Sequence, residues 1–448
     1  MPVAAAKQAL FSHLDGLRQS QLWLAGQSGV IAAVSGGPDS MALALVAAEV
    51  CRDISVRFEA VVIDHGLRDG SAAEAQAVSG YLEKRGIPAR LFTVPGPAPK
   101  AGKQAWAREQ RFQLLCDYAR QTSSAVLFAH HRDDQAETVV MRLAHGSGVA
   151  GLAAIAPVSM FQGVVFGRPF LGLAKADLIA VCQACDAWFV TDPSNSDPSF
   201  ERVRARQWLQ STDAAETYQH IMRLSALSSA LSSRLRREVS RWCAANSCFT
   251  QRLRAELDKA AFAELSYDAQ KHILRHCLAV VGAQPYPVSE EALDRLADRL
   301  AAGQISTAGG CVVEQKEAVV TLTAEFGRPP SPEKLVRAGR LCSFDKRWLV
   351  FAPKDGYIRR LGAQGWAARD KADPAFQAVS GWPARMGAMI PVLDGLDGKR
   401  YHPHFKPYQA VCSAARQGQA DIGAKIKTSS REEVFVCSLA ADGPLDAG

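Results

Sequence analysis

Three short segments of this chain carry residue types able to handle phosphate and a charged amine. Ser35-Gly36-Gly37-Pro38-Asp39-Ser40 joins two glycines, which let backbone N–H groups approach an anion, to hydroxyl donors at Ser35 and Ser40. Asp39 adds a carboxylate able to hold Mg²⁺ against the phosphate charge. The loop has no Lys, so it is not the Gly-x-x-x-x-Gly-Lys-Ser/Thr loop that serves transfer of a terminal phosphate. The other segments are Asp64-His65-Gly66-Leu67-Arg68 and His130-His131-Arg132-Asp133-Asp134-Gln135-Ala136-Glu137-Thr138. On a helix begun at Asp133, Asp134 and Glu137 share one face, suited to a cationic amine or a metal. An acidic helix start favoured by the macrodipole produces the same pair. His130 or His131 offers a base near neutral pH.

The elements that must position these residues alternate short apolar runs with longer helical patterns from residue 29 to about 210, the pattern of βαβ units around a parallel sheet. Strands are predicted at 29–34, 59–63, 89–94 and 125–129, and helices at 39–50, 72–85 and 104–121. All three chemical segments then follow strands, at the carboxyl ends where open α/β sheets bind ligands. After Asp192-Pro193-Ser194-Asn195 the composition shifts, and helical periodicity runs from about 201 to 280. There Arg234, Arg236, Arg237, Arg241, Arg252 and Arg254 concentrate charge suited to nucleic acid or to a solvated helix face. A helix at 289–301, a hairpin over 310–323 and a Pro-rich linker at 326–333 precede a small mixed module, rich in aromatic and basic residues, whose topology the pattern does not resolve. The expected division is 1–210, 211–325 and 326–448.

The hexapeptide at Ser35 to Ser40 resembles the pyrophosphate loop of the N-type ATP pyrophosphatases, which cleave ATP between the α and β phosphates to adenylate a substrate. With the segments at Asp64 and His130, the chain resembles the tRNA(Ile)-lysidine synthetase family. The resemblance spans about 28 to 210 and takes in Ala107-Arg108-Glu109-Gln110-Arg111-Phe112, Gly146-Ser147-Gly148, Gly151-Leu152, Arg168-Pro169-Phe170, and Arg202 with Arg206. Gly309-Gly310-Cys311 resembles a weaker family pattern further on.

The resemblance implies an adenine-nucleotide alpha-hydrolase-type open parallel sheet, followed by a helical domain and a small α+β module. It also implies ATP, Mg²⁺, L-lysine and a tRNA(Ile) with a CAU anticodon. ATP would be held by Ser35 to Ser40 with Asp64 and His65, Mg²⁺ by Asp39, and the lysine amine by Asp134 and Glu137. Arg108, Arg111, Arg202 and Arg206 would meet phosphate or the tRNA backbone, since guanidinium forks fit phosphate oxygens. The expected catalytic set is Asp39, Asp134, Glu137 and Arg206. His145 and Gln104 stand where the family usually has Arg and often has Glu.

With 448 residues, the chain is long enough for two or three cores. Its 52 Lys plus Arg against 45 Asp plus Glu permit a polyanionic partner without demanding one. No apolar run is long enough to span a bilayer and 1–10 lacks a signal-peptide layout, so a cytoplasmic protein without a membrane anchor or an obligate protein partner is expected. Scattered cysteines argue for reduced core residues. Cys182 and Cys185 suggest a thiolase alternative, in which a cysteine pair carries sulfur, but an apolar helical pattern surrounds them. A non-catalytic RNA-binding protein is the other alternative. Gly146, Gly148 and Gly151 match Gly-x-Gly-x-x-Gly but follow a predicted helix, which excludes a dinucleotide loop. His402 and His404 lack a carboxylate cluster and are not expected to bind metal.

Overall fold

The unbroken apolar run of the first predicted strand implies a sheet buried on both sides. A computed structural model of the protein places residues 2–405 and 434–438, apart from 20–28, 65, 67–69, 95–98, 100–102, 162, 191–197, 200, 212–213, 251–252, 283–287, 326–332, 346 and 378. The chain divides into two units, Met1–Arg234 and Leu235–Asp446. The first opens with a helix that the sequence reading did not anticipate, α1 (Pro2–Gln19), burying Ala6, Leu10, Leu14 and Leu17. There follow β1 (Gly29–Val34), α2 (Pro38–Asp53), β2 (Arg57–Asp64), α3 (Ser71–Lys84), β3 (Ala89–Thr93), α4 (Lys103–Gln121) and β4 (Ser124–Leu127). The expected strands and helices of this region are all present.

Beyond them come α5 (Arg132–Ala144), α6 (Val149–Leu152), β5 (Val158–Phe161), β6 (Val164–Gly167), α7 (Lys175–Ala184), α8 (Glu201–Ser211) and α9 (Ala214–Asn246). The strand order is β3-β2-β1-β4-β6-β5, parallel except for β5, which runs antiparallel at the edge. Val30, Ala32 and Val34 turn to a core shared with α1, α2, α3 and α7, while Ile31 turns to one shared with Leu115, Cys116 and Ala119 of α4. Helices on both faces explain why these strands read as continuous apolar runs.

His13 of α1 is a polar group in this packing whose Nε2 is buried and, among the described residues, without a hydrogen-bond partner. Burial, with Arg168 beside it, pushes its pKa down from 6.5 to about 4. The unfolded chain therefore binds more protons between those values, and stability falls as pH drops from about 6.5 toward 4. Replacing His13 by Gln is expected to reduce that slope in melting temperature against pH; parallel curves for the two proteins would remove His13 from the account.

The second unit contains β7 (Ser247–Thr250), β8 (Arg254–Asp258), α10 (Lys259–Ala263), α11 (Tyr267–Gly282), α12 (Glu290–Ala301), β9 (Ser306–Ala308), β10 (Cys311–Gln315) and β11 (Val319–Ala324). Its first sheet has the order β7-β8-β11-β10-β9 and packs on α11 and α12. The helix at 290–301 and the hairpin of β10 and β11 match expectation, with Ser289 capping the helix through Ala292 N. The continuous helical reading of 201–280 does not hold, because β7 and β8 interrupt it. Ala255 and Leu257 are buried while their neighbours are less so, a period of two over a segment too short to announce itself.

The remaining strands are β12 (Lys334–Val336), β13 (Arg340–Phe344), β14 (Trp348–Ala352), β15 (Gly356–Arg360), β16 (Pro391–Gly395), β17 (Arg400–Tyr401), β18 (Pro403–Phe405) and β19 (Val434–Ser438). They form two sheets, β12-β15-β16-β17 and β13-β14-β19-β18. Buried residues from Cys243 to Ala324 and from Val336 to Tyr401 belong to one hydrophobic cluster.

Candidate active site

β1 and β4 are neighbours, but the chain leaves them toward opposite edges of the sheet, which opens a crevice at their carboxyl ends. A cavity of about 500 Å³ lies there, and Ser35, Gly37, Asp39, Ser40, Asp64, Arg111, His130 and Asp134 line it. Sites that the sequence separates by about a hundred residues are thus brought to one place by strand order.

Hydrogen bonds within the Ser35 to Ser40 loop hold it in a closed turn. Ser40 Oγ accepts from Ser35 N at 3.1 Å and donates to Gly37 O at 3.0 Å, so Ser35 Oγ donates to Ser40 Oγ at 3.2 Å. The hydroxyls expected to meet phosphate therefore also shape the loop. Gly37 caps α2 and Pro38 takes its first turn, where a missing N–H costs nothing. Gly36 has φ +87°, and a Cβ there would lie 2.7 Å from Val78 Cγ2. Its carbonyl accepts Val190 N at 2.9 Å. Gly36→Ala is expected to cost about 1–3 kcal/mol in strain. It should also raise the KM for ATP, a shift checked by thermal denaturation and ATP titration side by side.

Asp39 stands in the first turn of α2 with Oδ1 buried and unpaired among the described residues. Its Oδ2 lies 3.7 Å from His131 Nε2, which is also 3.5 Å from Asp134 Oδ2, while His131 Nδ1 is 3.5 Å from Asp133 Oδ2. Burial opposes charge on this ring, yet Asp39, Asp134 and Asp133 outweigh it and raise the His131 pKa above its ordinary value. The link from Asp39 to Asp134 through His131 was not anticipated from sequence. Its neighbour His130 behaves oppositely: burial, reinforced by Arg168, Arg202 and Arg111 against Asp134, pushes it down to about 4. The two neighbouring imidazoles are thus shifted in opposite directions by their surroundings.

Asp134 and Glu137 do share a face of α5, as their spacing implied, but they do not stand alone. Asp134 Oδ2 accepts His131 N at 3.0 Å. Glu137 is 1% exposed, and Arg206 Nε of α8 donates to its Oε1 at 2.7 Å. Arg202 Nε lies 3.5 Å from Glu137 Oε2, and Arg202 Nη1 lies 3.9 Å from Asp134 Oδ1. Glu137 Oε2 itself accepts no hydrogen bond among the described residues. Arg202 and Arg206 thus flank the acidic pair.

Arg111 on α4 lines the cavity with Nε unpaired, its guanidinium 5.7 Å from the Phe128 ring. Burial, with Arg108 nearby, lowers its pKa to about 10, so it stays a cation. Arg108 is exposed and lies 5.2 Å from the Phe112 ring. Asp64 Oδ1 accepts Gly66 N at 2.9 Å and Ser71 Oγ at 2.7 Å, which ties the end of β2 to α3. His65, Leu67, Arg68 and Asp192 to Asn195 lie outside the described residues.

A family profile described as a PP-loop domain matches residues 9–212. The chain is 45% identical to a tRNA(Ile)-lysidine synthase of Methylobacterium nodulans over 49% of its own length and 63% of the relative's. It is 48% identical to one of a Bradyrhizobium species over 42% of its length and 54% of the relative's. In these matches the chain spans little more than half the length of the curated relatives. With a tRNA(Ile)-lysidine synthase of Ruegeria pomeroyi it shares 32% identity over 350 residues, 74% of this chain and 79% of that one. The chain belongs to the tRNA(Ile)-lysidine synthase family.

Against that family, His145 departs from the usual Arg, and its Nε2 lies 2.7 Å from Glu201 Oε1, joining the end of α5 to the start of α8. The Gln104 side chain lies outside the described residues. Gly148 caps the short α6 after a helix, so the Gly-x-Gly-x-x-Gly match is not a strand-to-helix loop. Cys182 is fully buried and its Sγ donates to Pro38 O at 3.2 Å, beneath the loop. Burial, with Cys185 and Asp39 adding to it, pushes that thiol up to about 11. A sulfur held protonated in this way is a poor nucleophile.

Proposed function

We propose that the protein joins L-lysine to C2 of the wobble cytidine in the CAU anticodon of tRNA(Ile), forming lysidine and changing codon reading from AUG to AUA. Cytidine O2 attacks the α-phosphate of ATP, the bond between the α and β phosphates breaks, and pyrophosphate leaves. The lysine ε-amine then attacks C2 and expels AMP, so one carbon–nitrogen bond replaces the carbon–oxygen bond of the adenylate. Membership of the family supports this reading, and one feature of the crevice carries it: a phosphate-loop carboxylate, Asp39, and an amine-directed carboxylate, Asp134, face each other across a single imidazole, His131.

In this reading Ser35, Gly36, Gly37, Pro38 and Ser40 cradle the phosphates, while Asp64 shapes the neighbouring edge beside His65. The unpaired Asp39 Oδ1 fits Mg²⁺, which would shield phosphate charge when bound. No described group of three or more His, Cys, Asp or Glu could hold a metal alone, so phosphate oxygens and water would complete its shell. Arg111 supports the phosphates from inside the cavity. Asp134 and Glu137 hold the lysine ammonium, which must lose a proton before it can attack. His130 lines the cavity in its uncharged form and can take that proton.

We assign 1–210 to adenylation and lysine transfer, 211–325 to tRNA binding and 326–448 to the acceptor arm. Among the described residues no helix is long and apolar enough to cross a membrane. The test is incorporation of labelled lysine into an unmodified CAU-anticodon tRNA(Ile) transcript with ATP and Mg²⁺. Label is expected with cytidine at the wobble position and not with uridine there. RNA-dependent pyrophosphate release without label would refute lysine as the nucleophile.

A further inference from the structure

Arg132, Arg202 and Arg206 stand beside the acidic pair of the crevice, and two of the three are already engaged by it. Arg206 donates to Glu137 Oε1, and Arg202 lies 3.5 Å from Glu137 and 3.9 Å from Asp134. Arg132 is exposed and, among the described residues, its guanidinium pairs with no carboxylate. It opens α5 two residues after His130 and two before Asp134, both of which line the cavity, so its backbone belongs to the cavity's rim although Arg132 is not a lining residue. A cation is disfavoured at the positive end of a helix, so helix formation does not account for it. The position is pinned from two sides, since Arg132 N donates to Leu173 O at 2.8 Å and Arg132 O accepts the Tyr218 hydroxyl of α9 at 2.9 Å. Burial, with Asp133 beside it, pushes that hydroxyl's pKa up to about 12, so it stays a donor. The Arg132 guanidinium lies 5.6 Å from the Tyr218 ring. A cation placed on a ring, with its backbone held, has less freedom to lose when it binds.

The groups around it are acidic: the Asp133 side chain is 38% exposed, and Asp134, Glu137 and Glu201 follow on α5 and α8. A polyanion approaching this rim is repelled unless a cation meets it. The phosphates of ATP have the Ser35 to Ser40 loop and Arg111 inside the cavity, whereas Arg132 stands outside it. A loop nucleotide inserted in the crevice leaves its flanking phosphates at the rim. We infer that Arg132, steadied by Tyr218, binds a backbone phosphate of the RNA loop next to the cytidine that enters the cavity. This inference rests on the proposed reaction and adds a positioning residue that binds RNA without touching the reacting atoms.

The experiment uses the full chain and a fluorescently labelled synthetic RNA hairpin carrying CAU in its loop, with affinity read by anisotropy across a KCl series. Arg132→Gln should weaken binding about tenfold at low salt and lower the slope of log Kd against log salt by about 0.7, the amount lost with one phosphate contact to a single strand. Arg132→Lys keeps the charge and should retain the parental slope. In lysine transfer the glutamine variant should raise the KM for tRNA about tenfold, with kcat and the KM for ATP changed less than about twofold. A parental slope in the glutamine variant, or a slope lowered equally in the lysine variant, overturns the contact; so does a raised KM for ATP, which would make the phosphate that of the nucleotide. If the parent transfers lysine while the slopes coincide, the Arg132 contact alone is wrong; if the parent neither binds the hairpin nor transfers lysine, the proposed function falls with it.

Discussion

Asp39→Asn is expected to lower RNA-dependent pyrophosphate release by at least about a hundredfold, the scale on which removal of one preorganised electrostatic group acts. The substitution keeps the side chain's shape and takes away its charge. Asp39 stands in the first turn of α2 with Oδ1 buried and, among the described residues, without a hydrogen bond, which leaves that oxygen for a cation it meets during the reaction. The substitution also weakens the charge partner that His131 Nε2 faces at 3.7 Å. Hairpin RNA should still bind within about threefold, since the residues assigned to RNA lie on other elements. Single-turnover pyrophosphate release, read across a Mg²⁺ titration, checks the prediction. A variant that releases pyrophosphate at the parental rate would show that the phosphate charge is met elsewhere.

Glu137→Gln is expected to separate the two halves of the reaction. The side chain is 1% exposed, and Arg206 and Arg202 approach its two oxygens. Removing a charge from such a buried pair costs about 3–5 kcal/mol, so a lower melting temperature is part of the expectation. The functional signature is different. Pyrophosphate release in a single turnover without lysine should stay within about fivefold of parental, while the KM for lysine should rise about a hundredfold from the loss of a charge-assisted hydrogen bond. Equal loss of both steps would reduce Glu137 to an anchor for Arg206 and Arg202. Glu137→Ala should destabilise further, because it adds an empty space to the uncompensated cations.

Much of the first unit was legible because its strands are buried on both faces. Gly29–Val34 is a run of six small and β-branched residues that can only be a central strand or a short buried helix, and the glycine loop after it decides between the two. The edge strand β5 and its neighbour β6 were hidden because they are short and joined by a tight turn at Gly163. Within the site, the residue types were visible and the pairings were not. Nothing in the spacing of Arg206, 69 residues after Glu137, says that the two share a hydrogen bond, and nothing around His131 says that Asp39 would lie opposite it. Both contacts are made by the order of strands and helices, a non-local property. The same limit explains the module after 333, where strand pairs such as β14 with β19 join segments about eighty residues apart.

That last pairing has a consequence for how the chain is made. β19 is an interior member of its sheet, hydrogen-bonded to β14 on one side and β18 on the other. During translation β14 is complete long before its neighbour exists, and it must wait with an open edge until residue 438 has left the ribosome. Folding of this sheet therefore closes late in synthesis, whereas the sheet of the first unit, finished by residue 167, can close much earlier. A stalled or prematurely terminated product would keep the sheet of its first unit and carry an unsealed strand in its second, the kind of surface on which proteases and chaperones act.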